Sequence, residues 1–382
     1  MLARKYTVAE YGTLIAVFVF GNIVVSFFEL GFANYFQRRT ASDFDKAVEE
    51  FNSAFTFRVI TYLLILTISF IYYYGDKSIN TCLVFIIITS IFVFTTSWLL
   101  IKIFYGMNEY RTVFFRFLTS RILLLIVSVL LLFTDVSLTL FSISFFISAV
   151  SEFILLVILL KKKENFSFKM NLKTGMLKRI FISSVPMGLG IFFVMVYDRI
   201  DVLLIQKIIG IGSVGTYAVA YSFYKIPHMF VPVILTPLFT DLSAGFETDK
   251  TIDFQRVKKI GILLILLSAL SMVFLFLSSD LLIDLVYGNK YHSSIPILKL
   301  LIIALPFLFL NNLTGVTLNS IRREKLAFYS LVMAAGFNFM INIFLLNFIG
   351  LKGAVISTIL TELLVFLIQL YYIIKFKVTV NK

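Results

Sequence analysis

Lys225 lies near the middle of an apolar run over residues 214–240. If that run crosses a bilayer, its ammonium group is too deep to reach the surface easily. A buried cation of this kind can offset the desolvation of an anionic ligand such as a phosphate. Arg121, about nine residues into the run 112–134, is a second candidate for such a cationic site, and Arg199 is a third.

Two carboxylates, Asp198 and Asp201, lie in the preceding run, 181–207. Residues three apart share a helix face, whereas Arg199 points about 100° away from Asp198. One of these acids could bind a coupling proton or sodium ion. An ion pair with Arg121 or Lys225 that locks the helices together is an equal alternative. Glu29 in the first run is a further acid with the same two interpretations.

Two further acids, Glu152 and Glu362, occupy equivalent positions of an internal repeat described below. We expect them to be structural groups that hydrogen-bond to neighbouring helices, because polar contacts often join membrane helices. Phe and Tyr at helical spacing are interpreted as packing or lipid contacts. Arg58 and Arg116, four residues inside their runs, are expected to reach the headgroups.

Three prolines, Pro227, Pro232 and Pro237, recur at intervals of five in the run that contains Lys225. Each removes a backbone hydrogen bond and favours a kink. The pattern is compatible with a bent gating helix and equally with a static kink.

The sequence predicts no catalytic site, metal site or cofactor. Its single cysteine, Cys82, lies in an apolar run, and His228 and His292 are far apart. Neither histidine has a second ligand at a metal-binding spacing, and no nucleophile–base motif or phosphate loop is present. A membrane enzyme, such as a polymerase or acyltransferase, is therefore disfavoured.

The composition requires a membrane environment for these groups. Of 382 residues, 60% are hydrophobic and only 14% are charged, against about a quarter charged in soluble domains. The net charge of +13 comes from basic residues between apolar runs rather than from one patch. That distribution indicates lipid headgroups and topology control rather than nucleic acid.

A bilayer core about 30 Å thick needs about 20 apolar residues per helix. Eleven runs meet this condition: 12–35, 55–74, 81–104, 112–134, 137–160, 181–207, 214–240, 259–279, 295–318, 326–348 and 351–374. Alternate connections, starting with 36–54 and ending with the tail from 375, contain 21 Lys and Arg, and the others about five. The positive-inside rule therefore predicts a cytoplasmic C-terminus and an external N-terminus.

The two halves of the chain repeat one another at offsets of 203 to 213 residues. Four matched pairs carry the repeat: Glu10-Tyr11-Gly12-Thr13 with Ser213-Val214-Gly215-Thr216, Tyr74-Gly75-Asp76-Lys77 with Tyr287-Gly288-Asn289-Lys290, Asn108-Glu109-Tyr110-Arg111 with Asn319-Ser320-Ile321-Arg322, and Ser151-Glu152 with Thr361-Glu362. The second unit has six runs, so the repeat is of the parallel kind. A counterpart of 181–207 would precede residue 5, and we expect that the first half lacks its first helix, through a late start site, a fragment or a naturally short chain.

A series of short motifs runs along the chain. In order, they are Glu10-Tyr11-Gly12 through Glu29-Leu30-Gly31 to Arg38, Pro186-Met187-Gly188, Asp198-Arg199-Ile200-Asp201, Val214-Gly215-Thr216-Tyr217-Ala218, Tyr287-Gly288 to Leu300, Asn338 and Asn342, and Gly350-Leu351-Lys352-Gly353-Ala354 to Glu362. These segments resemble the bacterial polysaccharide-biosynthesis flippases, which share a superfamily with the multidrug and toxin extrusion transporters. Individually these motifs are loose, but their register covers nearly the whole chain.

The resemblance implies an all-α polytopic membrane protein whose 11 helices form two pseudo-twofold-related bundles, five plus six, around a central cavity. Its expected organisation is a bundle over 1–160, a basic linker over 161–180, a bundle over 181–376 and a tail over 377–382. It also implies a flippase in the bacterial cytoplasmic membrane that exports a lipid-linked oligosaccharide, with a polysaccharide polymerase and other assembly proteins as the expected partners. A multidrug antiporter of the same superfamily and an inactive remnant are the alternatives.

Overall fold

The structure is a computed structural model that describes residues 2–76, 79–164, 169–249 and 252–380. Every regular element in this part of the chain is a helix. The α-helices, in chain order, are α1 Leu2–Lys5, α2 Val8–Glu29, α3 Phe32–Ser42, α4 Phe44–Tyr73, α5 Thr81–Gly106, α6 Tyr110–Leu132, α7 Leu138–Glu164, α8 Thr174–Ile208, α9 Ile211–Lys225, α10 Val231–Asp249, α11 Phe254–Val286, α12 Ser294–Leu301, α13 Leu305–Ser320, α14 Glu324–Ile349 and α15 Leu351–Val380. Short 3₁₀ turns at Pro227–Phe230, Asn289–Tyr291 and Ile302–Ala304 join some of them.

Within the described residues, ten helical segments are long and apolar enough to cross a membrane. Two of them, Ile211–Thr248 and Ser294–Ser320, run through 3₁₀ turns. An eleventh span results if Thr174–Val185 and Gly188–Ile208, inclined at 52°, are counted as one. These helices confirm the predicted all-α polytopic fold. Helices suit a bilayer because each one satisfies its own backbone hydrogen bonds, which lipid cannot do.

The first predicted span, 12–35, was too long. Helix α2 ends at Glu29, and α3 begins at Phe32 after two residues in the left-handed region, Leu30 at φ 53° and Gly31 at φ 74°. A Cβ on Gly31 would lie 2.7 Å from the backbone of Gly188. The break therefore places two backbones in direct contact, which only glycine permits.

The second span begins earlier than predicted. Helix α4 starts at Phe44 rather than at residue 55. Asp43 caps this start by accepting a hydrogen bond from the Lys46 N–H at 3.1 Å. Arg58 is consequently well inside the helix rather than near its end.

By internal contacts the chain divides into two compact units. The first unit comprises residues 17–195, and the second comprises 1–16 together with 196–382. The predicted division at 160 and 181 stays a prediction. Residues 165–168 of the predicted linker and 381–382 of the predicted tail lie outside the described residues.

The core of the first unit is aromatic and aliphatic. Phe32 and Phe36 of α3 and Phe51 of α4 are fully buried with Phe104 of α5. The rings of Phe36 and Phe51 lie 5.6 Å apart in an edge-to-face arrangement, which aromatic pairs favour. This packing explains why the amphipathic segment 32–42 folds back as a helix of its own.

In the second unit, the N-terminal residues are hydrogen-bonded to the last turn of α11 and to the connection that follows it. Arg4 donates hydrogen bonds to the carbonyls of Asp284 at 2.8 Å and Leu285 at 2.6 Å. Lys290 donates to the carbonyls of Arg4, at 2.9 Å, and Tyr6. The start of α2 is thereby held against the end of α11.

Candidate functional site

A small polar cavity of about 10 Å³ lies within the second unit, close to the space that one water molecule needs. Four helices supply its lining residues, each with a hydrogen-bonding side chain: Tyr197, Asp198 and Asp201 of α8, Tyr221 of α9, Asn338 of α14, and Thr358, Thr361 and Glu362 of α15. Asp198 and Asp201, whose spacing places them on one helix face, both line this cavity. Buried polar groups inside membrane helices are costly and generally mark functional sites.

Asp198 is the centre of the charge cluster. Its carboxylate accepts a hydrogen bond from Lys225 and another from the Tyr221 hydroxyl at 2.8 Å. The guanidinium Nε of Arg199 lies 3.1 Å from its second oxygen. Two cations thus share one carboxylate, and the ion-pair alternative for Asp198 and Lys225 is the arrangement present here.

The cations of this cluster also lie against aromatic rings. The Arg199 guanidinium is 4.8 Å from the centre of the Tyr221 ring, and the Lys225 ammonium is 5.3 Å from it. About a quarter of the Lys225 side chain remains exposed. Cation–π contact helps to hold both charges in place while leaving them accessible.

Asp201 is in a different situation. Only 4% of it is exposed, and it accepts hydrogen bonds from the Tyr217 hydroxyl and from the Val202 N–H at 2.8 Å. Among the described residues, no Lys or Arg nitrogen lies within 4 Å of its oxygens. A buried carboxylate without an ion-pair partner is a group that either holds a proton or binds a cation.

Glu362 and Glu152, the repeat-related acids, are both buried, at 3% and 1% exposure. Glu362 accepts a hydrogen bond from the amide of Asn311 at 2.6 Å, and Glu152 accepts one from the Ser120 hydroxyl at 2.9 Å. Glu362 is therefore hydrogen-bonded to α13 and Glu152 to α6, and a purely structural role for the two acids stays a prediction. One Glu152 oxygen has no hydrogen-bond partner.

The three prolines follow Lys225 directly. Pro227 opens the 3₁₀ turn Pro227–Phe230 that separates α9 from α10, Pro232 lies in the first turn of α10, and Pro237 lies inside it. The helix is thus interrupted next to the cation. A gating role for this interruption stays a prediction.

The remaining candidates lie in the first unit. The Arg121 guanidinium lies over the rings of Phe94 and Phe117, at 4.9 and 4.7 Å from their centres. Glu29 forms the C-terminal end of α2. Neither is part of the polar cavity described above.

The expectation that Arg58 reaches the headgroups was wrong. Only 2% of it is exposed, and it donates a hydrogen bond to the Thr95 hydroxyl at 2.7 Å, with its guanidinium 5.2 Å from the Phe92 ring. The earlier start of α4 places it too far along the helix to reach the surface. It is a buried cation that sequence reasoning missed.

The tyrosines of the cavity were also missed, because their rings were interpreted as packing. Tyr217, Tyr221 and Lys225 recur every fourth residue, so they form one stripe of α9. On α15, Thr361 and Glu362 follow Thr358 by three and four residues, so these three side chains also share one helix face. Polar side chains at this spacing inside an apolar run were the available signal.

Residues 1–296 match a family described as "Polysaccharide biosynthesis protein". This match covers more than half of the chain, which therefore belongs to that family. The teichuronic acid biosynthesis protein TuaB of Bacillus subtilis is 30% identical over 131 residues, 34% of this chain and 27% of TuaB. The uncharacterized membrane protein MJ1068 of Methanocaldococcus jannaschii is 23% identical over 220 residues, 56% of this chain and 42% of that protein. The chain thus spans less than half the length of these relatives.

Solved structures share the fold. The lipid II flippase MurJ in an inward closed conformation superposes with a TM-score of 0.66 and 18% identity over 96% of this chain and 85% of that one. A multidrug resistance MATE family transporter of the MOP superfamily, in an inward-facing conformation, superposes with a TM-score of 0.65 and 13% identity. The superposition covers 97% of this chain and 94% of the transporter. At these identities the likeness shows the fold alone, and that fold is the one of membrane transporters.

Proposed function

We propose that this chain is a flippase that moves a lipid-linked oligosaccharide of the undecaprenyl-pyrophosphate type across the cytoplasmic membrane by alternating access. The observation that carries the proposal is the match to a polysaccharide biosynthesis family in a chain with a transporter fold. The names of a teichuronic acid biosynthesis protein among the relatives and of a lipid II flippase among the structural neighbours support it. Such a protein binds and moves its substrate without covalent chemistry.

The charge cluster supplies the cation that a pyrophosphate needs. Lys225 and Arg199 share the Asp198 carboxylate, so these three side chains together carry one net positive charge, while Asp201 and Glu362 line the same cavity. A pyrophosphate that reached Lys225 would replace Asp198 as its partner and would be partly relieved of its desolvation cost. In this proposal Asp198 keeps Lys225 satisfied when no substrate is bound.

Asp201 is our candidate for the coupling ion. Its buried carboxylate shares the cavity with the hydroxyl groups of Thr358 and Thr361 and with the side-chain amide of Asn338. These oxygens suit a hard cation such as Na⁺, and the carboxylate alone suits a proton. Either ion would neutralise Asp201 during part of the transport cycle.

The basic connections determine the proposed orientation. With 21 Lys and Arg on one side and about five on the other, the C-terminus lies in the cytoplasm of a bacterial cell. The two repeat-related bundles predicted above would then open alternately to each side. A polysaccharide polymerase and other assembly proteins are the partners that such a flippase would meet.

The proposal is tested by complementation. We would express the chain in a strain that lacks its own oligosaccharide-lipid flippase, and measure both the surface polymer and the lipid-linked intermediate inside the cell. A flippase restores polymer and removes the accumulated intermediate. Purified protein in vesicles, supplied with a polyprenyl-pyrophosphate disaccharide, tests translocation without dependence on the host's polymer, and failure in both assays would refute the proposal.

A multidrug antiporter is the second candidate, favoured by the MATE family neighbour at nearly the same TM-score. Cationic drugs call for acidic groups in the site; Asp198 is already paired with two cations, but Asp201 and Glu362 line the same cavity. Expression in an efflux-deficient strain decides between the two. Increased resistance to ethidium with no effect on polymer would favour the antiporter.

A further inference from the structure

A groove of about 300 Å³ lies in the second unit where α13 ends, α14 begins and α15 ends. Its walls are mainly hydrocarbon and aromatic, and two cationic side chains complete them. The lining residues are Leu318, Ile321, Leu326, Tyr372, Phe376, Arg323 and Lys375. It is separate from the polar cavity around Asp198.

The groove lies at the ends of three candidate membrane spans. One membrane span ends at Ser320, the next begins at Glu324, and the last span ends at Phe376. Arg323 and Lys375 come from two different basic connections of the sequence. Folding brings both cations to one apolar groove. Tyr372 lines the same groove, and tyrosines are enriched at membrane–water interfaces.

Neighbouring arginines of the α13–α14 turn have different roles. Arg322, at φ 57°, forms an ion pair with Glu247. Arg323 lines the groove and, among the residues that the structure describes, has no carboxylate within 4 Å of its guanidinium. The turn is held by the Arg323 N–H, which donates to the Leu318 carbonyl at 2.9 Å.

We infer that this groove binds an anionic phospholipid, with the phosphate between Arg323 and Lys375 and an acyl chain along Leu318, Leu326 and Phe376. Basic pockets between membrane helices are suited to anionic headgroups. A soluble phosphate would leave the apolar wall uncovered, whereas an acyl chain covers it. A zwitterionic lipid would bring its own ammonium group to two cations, and so would bind less well.

The binding test uses the purified full chain and native mass spectrometry with graded phosphatidylglycerol, and phosphatidylcholine as the comparison lipid. Removing two cations near the membrane surface, in Arg323→Gln/Lys375→Gln, is expected to weaken phosphatidylglycerol binding about tenfold to thirtyfold. Lys258→Gln/Lys259→Gln is the matched control. It removes the same charge at the start of α11, where both lysines are exposed and do not line the groove.

A second variant tests the apolar wall with the charges intact. Leu326→Trp fills the groove and is expected to displace the acyl chain, so that tightly bound lipid is lost. Equal weakening by both charge-removing pairs would overturn the proposal, because it would indicate general surface attraction. Unchanged binding in Arg323→Gln/Lys375→Gln would overturn it as well.

Two competitors separate the possible sources of the phosphate. Inorganic phosphate at millimolar concentration is expected to leave phosphatidylglycerol bound. Its displacement by inorganic phosphate, or by undecaprenyl phosphate at equal concentration, would show a site for free anion or for substrate and refute a phospholipid site. The inference does not depend on the proposed flippase activity, since binding is measured without transport.

Discussion

Gly12 of α2 and Gly215 of α9 pack against each other with no room for a side chain. A Cβ on Gly12 would lie 2.2 Å from the Ile211 carbonyl oxygen, and a Cβ on Gly215 would lie 2.2 Å from the Val8 carbonyl oxygen. Each glycine therefore meets the residue four positions before the other. The contact is reciprocal, as in a two-fold related pair, and it joins the two segments that the internal repeat identifies as equivalent.

We expect Gly12→Ala and Gly215→Ala each to destabilise the protein by about 1–3 kcal/mol, because the added methyl overlaps a backbone carbonyl that cannot rotate away. The double variant should lose less than the sum, since both changes open the same contact. Thermal unfolding in detergent measures the effect. The control is Gly336→Ala in α14, where a Cβ would meet nothing within 4 Å and helix propensity favours alanine. A Gly12→Ala variant as stable as the control would contradict the close crossing.

Hydropathy predicted the spans well because the bilayer fixes helix length and excludes unpaired backbone. It could not locate the break at Leu30–Gly31. Glycine inside an apolar run is common, and the left-handed conformation of Leu30 depends on the contact with Gly188 made through folding.

The site was predictable in part. The pair Asp198 and Asp201 followed from helical spacing, and the structure shows both on one cavity. Asp198 forms ion pairs with two cations, whereas Asp201 forms none among the described residues. This difference depends on which helices pack around α8, and no local sequence pattern specifies that packing. Arg58 was misplaced for the same kind of reason, because its depth depends on where α4 begins.

The pair Lys225–Asp198 yields a prediction that separates a structural ion pair from a substrate cation. Lys225→Ala should abolish polymer export in the complementing strain while leaving membrane insertion intact. It should also lower stability, because it removes one partner of a partly buried pair. The double variant Asp198→Asn/Lys225→Met removes both charges of this pair but leaves Arg199 without its carboxylate, so it should regain only part of the stability.

Export by that double variant is the deciding measurement. If Lys225 binds the pyrophosphate, the double variant is inserted in the membrane at wild-type abundance but still does not export polymer. Restored polymer at wild-type protein abundance would contradict a substrate role and leave Lys225 as a helix-locking group. Lys225→Arg, which keeps the positive charge, is expected to retain part of the export.

Asp201 should be needed for coupling and Glu362 for structure, although both are buried acids on one cavity. Asp201→Asn is expected to remove the dependence of transport on the Na⁺ or proton gradient, because the neutral amide cannot change charge when the ion binds. Glu362→Gln should keep that dependence, since its amide oxygen can still accept from Asn311. Vesicle transport with the Na⁺ and pH gradients imposed separately measures this and identifies the ion. Loss of gradient dependence in Glu362→Gln alone would reverse the two assignments.

Two adjacent acids at the start of α4 offer the last prediction, Glu49 and Glu50. Glu50 has 4% of its side chain exposed and accepts two hydrogen bonds from Arg39, at 2.9 and 3.1 Å, and one from the Tyr35 hydroxyl at 2.8 Å. Glu49 pairs with Lys173 at 2.6 Å, but about half of each side chain is exposed.

Glu50→Gln should therefore destabilise the protein by about 2–4 kcal/mol, because it weakens a bidentate pair and leaves the partly buried Arg39 without a carboxylate. Glu49→Gln should change stability by less than about 1 kcal/mol, since exposed ion pairs contribute little. Thermal unfolding of both variants in the same detergent, at low and at high salt, measures the difference. The stability loss caused by Glu49→Gln should decrease at high salt, whereas the loss caused by Glu50→Gln should not. The reason is that solvent ions screen exposed charges more than buried ones. Equal losses in the two variants would mean that Glu50 is as accessible to water as its neighbour, contrary to its burial between α3 and α4.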